Sequence, residues 1–173
     1  MHGYTPMTPK GAGTPAGAGV PVMNAVPLTI KEANVLVAQW HRHSRPVQGA
    51  RFAIGVTVDG ALVGAVIVGR PVACALNDGV TAEATRCVTN GAKNACSFLY
   101  AAAWRAWRAM GGQRLVTYTL ADELGVSVVA AGFRVVHQTR ARKGGWNTPS
   151  RPRVPTDQPP KTLWERVPSW EEA

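Results

Sequence analysis

Residues 81–112, TAEATRCVTNGAKNACSFLYAAAWRAWRAMGG, constrain the fold of this chain more than any other segment. Their pattern predicts an apolar strand, a short polar loop and then a long alanine-rich helix. Because free backbone N–H groups and the positive end of the helix dipole meet at such a loop, this order suits a phosphate or pyrophosphate. An ordinary strand–loop–helix unit has the same pattern, so the pattern alone leaves both interpretations open.

Two charged side chains, Glu83 and Arg86, interrupt the predicted strand that leads into this loop. Charges inside an otherwise buried strand are costly unless they are paired or functional. The strand therefore indicates either a structural Glu83–Arg86 salt bridge or a catalytic centre.

The charge balance favours a polyanionic partner. The formal net charge is +9, with 19 Lys and Arg against 10 Asp and Glu. The excess is concentrated in residues 134–153, which hold six basic residues and no acidic one: Arg134, Arg140, Arg142, Lys143, Arg151 and Arg153. Such a stretch is typical of a nucleic-acid-binding surface, and double-stranded DNA is the expected partner. A solvated basic tail without a specific partner is the alternative.

The cysteines and the apolar segments indicate a cytoplasmic protein. Cys74, Cys87 and Cys96 are odd in number and lack CxxC spacing, which argues against a disulfide framework or a zinc ribbon. No apolar stretch approaches the roughly 20 residues that a membrane span requires, so no membrane partner is expected. The N-terminus lacks the basic-then-apolar layout of a signal peptide.

Composition divides the chain into three parts. Residues 1–26, rich in Gly, Pro, Thr and Ala, predict a flexible leader. Residues 27–143 predict the folded domain, which opens with a helix capped by Thr29 and Glu32. Residues 144–173 predict a basic, Pro-rich extension that is irregular until a turn at TLWERV.

Within the domain, the patterns predict a helix, a hairpin, a strand, a long helix, a strand, a short helix and a last strand. The hairpin turns at Asp59-Gly60, and the strand before the long helix covers residues 81–88. The long helix covers residues 94–110, with an expected buried face of Ala95, Leu99, Ala102, Ala103, Ala106 and Met110. This order predicts an α/β (α+β) fold with a mixed, mostly antiparallel sheet flanked by helices.

Over residues 28–136 the order of elements resembles the GNAT acyltransferase fold, whose members bind acyl-coenzyme A. Conventional members carry a Gly-rich Q/R-x-x-G-x-G/A loop where this chain has VTNGAKNACS, with Gly91 as its only glycine. The residues are more similar to a divergent branch, the phage Mom-like DNA-modification proteins. WHRHSR is similar to that family's His-x-Ser-Arg/Lys run, and EATRCVTNGAKNACSFLY to its E-x-x-R and N-x-x-S-x-x-L motifs. TYTLADELGVSVVAAGF is similar to its strand ending in Asp and the helix that follows.

The resemblance implies an enzyme that hypermodifies adenine in DNA and so protects phage DNA from restriction. It implies acyl-coenzyme A or a related acyl donor, and a bacterial host cytoplasm as the location. The candidate catalytic residues are Glu83, Arg86, Tyr118 and Asp122. Glu83 is the candidate general base and Arg86 the candidate oxyanion or phosphate ligand. Tyr118 is the candidate acid for a leaving thiolate, and Asp122 can alternatively cap the next helix.

The candidate cofactor-binding residues are Val88, Gly91, Asn94 and Ser97, where the loop meets the long helix. Asn94 or Ser97 can equally serve as a helix N-cap. The candidate nucleic-acid-binding residues are His41, His43, Arg45, Arg140, Arg142, Lys143, Trp146, Arg151 and Arg153. Trp146 combines a ring that can stack on a base with flanking arginines that can bind phosphates. The two histidines suit a metal ion or acid–base chemistry, but no third ligand is evident, so no metal is expected.

Two other functions remain open on the sequence. One is an acetyl-coenzyme A-dependent N-acetyltransferase acting on a small-molecule or protein amine. The other is a non-catalytic nucleic-acid-binding protein. The acidic WEEA terminus has two candidate docking surfaces, a neighbouring subunit of a homodimer and the chain's own basic stretch.

Overall fold

A computed structural model describes residues 22–41, 45–141, 143 and 157–169, and these form one mixed sheet with helices on both faces. The sheet order is β1-β2-β3-β4-β5-β7-β6, and only β4 and β5 run parallel. The predicted mixed, mostly antiparallel α/β fold is therefore confirmed. The elements are β1 Met23–Leu28, α1 Ile30–Trp40, β2 Phe52–Val58, β3 Ala61–Gly69, β4 Thr81–Thr89, α2 Ala95–Ala109, β5 Arg114–Leu120, α3 Val126–Ala130, β6 Arg134–Gln138 and β7 Lys161–Arg166.

Helix α1 covers one face of β2, β3 and β4. The predicted capping box is confirmed, because the Thr29 backbone N–H donates to the Glu32 carboxylate at 2.8 Å and the Glu32 N–H donates to Thr29 Oγ1 at 3.2 Å. Ala33, Leu36 and Val37 form the buried face. The helix ends at Trp40, with His41 as its C-cap.

Helix α2 packs on the opposite face of the sheet, and its small residues allow a close approach. Trp104 and Trp107 are 1% and 4% exposed, so both side chains pack in the core. Met110 was expected in the buried face, but it is 56% exposed. It follows the last helical residue, and Gly111 turns the chain away with a positive φ of 85°.

Two parts of the sheet lie outside the domain bounds that composition predicted. Strand β1 begins at Met23 and pairs with β2 along all six of its residues, so the predicted leader boundary at Val26 cuts a strand. Strand β7 lies between β5 and β6, where the sequence predicted irregular chain and a turn. Thr162, Leu163 and Trp164 are consecutive and buried on both faces, so β7 shows none of the alternation that identifies a half-buried strand.

None of the helices in the described part of the chain is long and apolar enough to span a membrane.

Candidate functional site

Strands β4 and β5 part to form a cleft in the middle of the sheet. Their parallel ladder joins only Thr81–Glu83 to Arg114–Val116, although β4 continues to Thr89 and β5 to Leu120. Beyond the ladder, the Thr117 hydroxyl donates to the Ala84 carbonyl at 2.9 Å. The two facing edges then lack a strand partner among the described residues, which leaves backbone donors and acceptors available to a ligand.

The loop between β4 and α2 presents unpaired amides at the end of this cleft. Gly91 and Asn94 both have positive φ angles, 96° and 62°. Among the described residues, four backbone N–H groups at the helix start have no acceptor, those of Lys93, Asn94, Cys96 and Ser97. Four N–H groups at the positive end of a 15-residue helix are an arrangement that can bind an anion.

A β-bulge in β4 brings Glu83 and Arg86 to the same face of the sheet. The register with β3 slips between Ile67 and Val68, so Thr85 has no partner of its own. Ala84, before the bulge, packs against α2, so its neighbour Glu83 lies on the α1 face. Val88, after the bulge, packs against α1, and Arg86, two residues earlier, shares that face. Strict alternation would place two residues three apart on opposite faces. With the bulge, both charged side chains lie on the α1 face.

Glu83 is a buried carboxylate that is 6% exposed. Its Oε2 accepts a hydrogen bond from the Val72 backbone N–H at 2.8 Å. Burial raises the pKa of Glu83, and the Val72 N–H and the positive charges of Lys161 and Arg86 oppose this rise. The carboxylate is thus desolvated yet surrounded by groups that stabilise its charge.

Arg86 is held by backbone carbonyls rather than by Glu83. Its Nε donates to the Arg45 carbonyl at 2.9 Å, and its guanidinium donates a second bond to the Thr85 carbonyl at 2.6 Å. No Glu83–Arg86 ion pair occurs among the described residues, so the salt-bridge alternative is wrong. Burial lowers the pKa of Arg86 and the Glu83 charge opposes that shift. This bond places Arg45, the last residue of the WHRHSR motif, beside the site.

Tyr118 belongs to the same charged face, since Val116 pairs with Glu83 and Tyr118 lies two residues further along β5. Burial and the nearby Glu83 charge raise the pKa of Tyr118, which keeps its hydroxyl protonated. Asp122 is exposed in the turn after β5. It does not cap α3, because that helix begins at Val126 with Gly125 as its N-cap.

The four predicted cofactor-binding residues differ in burial and in hydrogen bonding. The Val88 side chain is part of the α1-side core. Gly91 is exposed in the loop. Asn94 is the N-cap residue by position, but its side chain makes no capping bond. The Ser97 hydroxyl donates to the Asn94 carbonyl at 2.9 Å and closes the first turn of α2.

Only part of the predicted nucleic-acid-binding set lies within the described residues. His41 is the half-buried C-cap of α1, whereas Arg45, Arg140 and Lys143 are exposed. The Thr139 N–H donates to the Lys161 carbonyl at 2.7 Å, so the chain entering Arg140 begins beside Lys161. The other members fall outside the described residues: His43, Arg142, Trp146, Arg151 and Arg153.

Lys161 and Tyr100 were not identified from the sequence. The positive charge of Lys161 acts on Glu83, and burial raises the pKa of Tyr100. Tyr100 is a buried helix residue, and Lys161 lies in a strand that the sequence did not predict. No motif marks either residue, since each reaches the site only through tertiary packing.

Comparison with known proteins identifies the fold. A scan of protein-family models and a search of curated proteins give no match. Among solved structures, the chain is similar to a Bacillus subtilis acetyltransferase in complex with CoA, with 10% identity, a TM-score of 0.59 and coverage of 87% of this chain and 100% of that one. It is also similar to YncA of Salmonella typhimurium with its cofactor acetyl-CoA, with 14% identity, a TM-score of 0.56 and coverage of 87% and 96%. A GNAT-family acetyltransferase of Streptococcus pneumoniae shows 12% identity, a TM-score of 0.53 and coverage of 84% and 99%. The chain therefore has the GNAT fold.

Proposed function

We propose that this GNAT-fold chain is a transferase that moves an acyl group from a coenzyme A thioester to an amine, and that the amine belongs to adenine in DNA. The observation that carries the first part is the parting of β4 and β5 above a loop with four unpaired amides. The second part rests on the resemblance to Mom-like proteins and on the charge of the chain.

The cleft fits coenzyme A chemically. Its β4 and β5 edges offer backbone donors and acceptors to an amide-containing chain such as pantetheine, and the loop amides suit a pyrophosphate. Gly91 leaves space near the backbone, because nothing lies within 4 Å of where its Cβ would be. The exposed Lys93 adds a positive charge beside the amides. The single glycine of the loop is therefore compatible with the proposed ligand.

Residues on the α1 face would carry the proton transfers. The bound thioester supplies an activated acyl carbon. Glu83 accepts the proton that the acceptor amine loses, since its Oε2 is fixed by Val72 while the desolvated carboxylate has a raised pKa. Tyr118 donates its hydroxyl proton to the departing sulfur. Arg86 stabilises negative charge that develops on the acyl oxygen.

DNA is the proposed acceptor because basic residues among those that the structure describes lie near the site. Arg45 is joined to Arg86 through its carbonyl, and the stretch that begins at Arg140 starts beside Lys161, whose charge acts on Glu83. A net charge of +9 favours a polyanion over a small neutral amine. Since the adenine amino group is inside a duplex, the base would leave the stack to reach the site. We place this activity in the cytoplasm of a bacterial host.

Gly91→Ala is expected to weaken the binding of acetyl-coenzyme A about tenfold, because a side chain at a φ of 96° displaces the loop amides. Isothermal titration calorimetry measures the change. Gly60→Ala is the matched control, since Gly60 also has a positive φ and open space around its Cβ but lies in the β2–β3 hairpin. Both variants should lose about 1 kcal/mol of stability. Equal affinities for acetyl-coenzyme A in the two variants would contradict the loop assignment.

Mass spectrometry of nucleosides from plasmid DNA of cells that express the full chain tests the proposed acceptor. We expect a new adenine nucleoside, whose mass shift identifies the transferred group. This nucleoside should be absent from cells that express Arg86→Ala. Arg105→Ala is the control, because Arg105 is exposed on α2, on the other face of the sheet. Unchanged nucleosides together with acetyl-coenzyme A binding would instead favour a small-molecule or protein amine as acceptor. DNA binding without a modified nucleoside and without binding of acetyl-coenzyme A would favour the non-catalytic nucleic-acid-binding protein.

A further inference from the structure

A row of paired side chains leads from Glu83 to β6, the last strand of the described sheet. Glu83 on β4 pairs with Val116 on β5, and Val116 pairs with Glu165 on β7. Glu165 in turn pairs with Arg134 on β6. Because residues paired across neighbouring strands point to the same face of a sheet, Arg134 lies on the α1 face together with Glu83.

A β-bulge in β6 adds a histidine to this face. The register between β6 and β7 slips after Val135, so that His137 pairs with Leu163. Trp164, the neighbour of Leu163, packs in the α2-side core, which places Leu163 and His137 on the α1 face. Arg134 and His137 are therefore three residues apart on one face, the same arrangement that the bulge in β4 gives to its two charged residues. Both side chains are exposed.

The Arg134 guanidinium is held in one direction by Glu165. Its Nε and Nη2 both contact Glu165 Oε1, each at 3.0 Å. The other carboxylate oxygen, Oε2, contacts Arg114 Nη2 at 2.7 Å. One carboxylate between two guanidiniums leaves a net positive charge at this edge. Since the Arg134 side chain is 71% exposed, its ion pair contributes little to the stability of the fold.

We propose that Arg134 binds a phosphate of the acceptor DNA at the β6 edge, an inference that rests on the proposed transfer to DNA. A guanidinium has five N–H donors, and the contact with Glu165 uses those of Nε and Nη2. The donors of Nη1 remain for a phosphate oxygen, to which arginine binds through charge-assisted hydrogen bonds. Glu165 is a positioning residue, because it fixes the direction of the guanidinium.

The position of Arg134 suits a phosphate that flanks the target nucleotide. Three strand spacings separate Glu83 from Arg134, which amounts to about 14 Å. At about 3.4 Å per nucleotide along a DNA strand, this distance corresponds to roughly four nucleotides. Arg134 therefore holds the DNA while the flipped adenine reaches Glu83, and it takes no part in the proton transfers.

The salt dependence of DNA binding tests this contact. Fluorescence anisotropy of a short labelled duplex with the full-length protein, at several KCl concentrations, gives the slope of log Kobs against log salt concentration. Loss of one phosphate contact reduces the magnitude of this slope by about 0.9, and we expect that reduction in Arg134→Ala. Arg105→Ala is the matched control, because it removes the same charge from an exposed position on α2, on the opposite face of the sheet. Its slope should equal that of the unmodified protein.

Two further measurements separate this contact from the transfer site. Arg134→Ala should bind acetyl-coenzyme A normally in calorimetry, and its KM for DNA should rise about five- to tenfold, more than its kcat falls. A normal slope for Arg134→Ala, or the same reduction in Arg105→Ala, would overturn the phosphate contact. If the unmodified protein still binds and modifies DNA in that case, only this contact fails. If the unmodified protein binds acetyl-coenzyme A but no DNA, the proposed acceptor is refuted together with the contact.

Discussion

Glu83→Gln is expected to lower the rate of acyl transfer by about 10²- to 10⁴-fold, the range for loss of a positioned general base. Glutamine can still accept the Val72 N–H bond, which spans 2.8 Å in this structure, so the loop before β4 should keep its position. What is lost is the ability of the side chain to take a proton from the acceptor. Single-turnover kinetics with acetyl-coenzyme A and the acceptor identified by nucleoside analysis measure the change.

The control is Glu123→Gln, because the Glu123 carboxylate also accepts a backbone N–H, that of Leu120 at 3.1 Å, but lies in the turn after β5. Its rate should stay near that of the unmodified protein. With Glu83 present, the rate should rise with pH through the raised pKa of this group, because the base acts only when ionised. A Glu83→Gln enzyme of normal rate would contradict the assignment.

The same substitution has an expected effect on stability whose sign follows from the pKa shift. Because burial raises the pKa of Glu83 in the folded state, its contribution to stability is fully present below the unfolded value, about 4.5, and is lost as the pH rises through the folded pKa. Glutamine stays neutral and has no such loss. Urea denaturation should therefore show that Glu83→Gln is at least as stable as the unmodified protein at neutral pH. Above the unfolded pKa, the free energy of unfolding of the variant should also depend less on pH.

Trp164→Ala is expected to lower the free energy of unfolding by about 3–5 kcal/mol, the range for removing a large buried aromatic side chain. Trp164 is 5% exposed in the α2-side core, and its indole N–H donates to Thr119 Oγ1 at 3.0 Å. The indole also lies under Gly125, whose added Cβ would come within 2.3 Å of it. The substitution leaves a cavity between β7 and the turn before α3.

Urea denaturation followed by circular dichroism measures this loss. Leu124→Ala is the control, because Leu124 lies one residue from Gly125 but is 86% exposed, and its replacement should change stability by no more than about 0.5 kcal/mol. A Trp164→Ala protein as stable as this control would show that β7 is not an integral part of the core.

The parts of the fold that the sequence predicted correctly are those with local signals. The Thr29–Glu32 capping box, the Asp59-Gly60 hairpin and the strand–loop–helix around Gly91 each depend on interactions between residues close in the chain. Strand β7 has no such signal. Its apolar residues are consecutive, and a Pro-rich segment precedes it, so only its two neighbours in the sheet make it a strand.

The sequence by itself determined the types of residue at the site and their order along β4. It identified Glu83 and Arg86 as charges in a buried strand that are either paired with each other or functional, because the cost of burying a charge can be read from the pattern of its neighbours. Tertiary structure decided which way these side chains point and what surrounds them. The bulge at Thr85 turns both to one face, and β7 places Lys161 beside them. Register and strand insertion arise from pairing between distant segments, and a local pattern carries no information on that pairing.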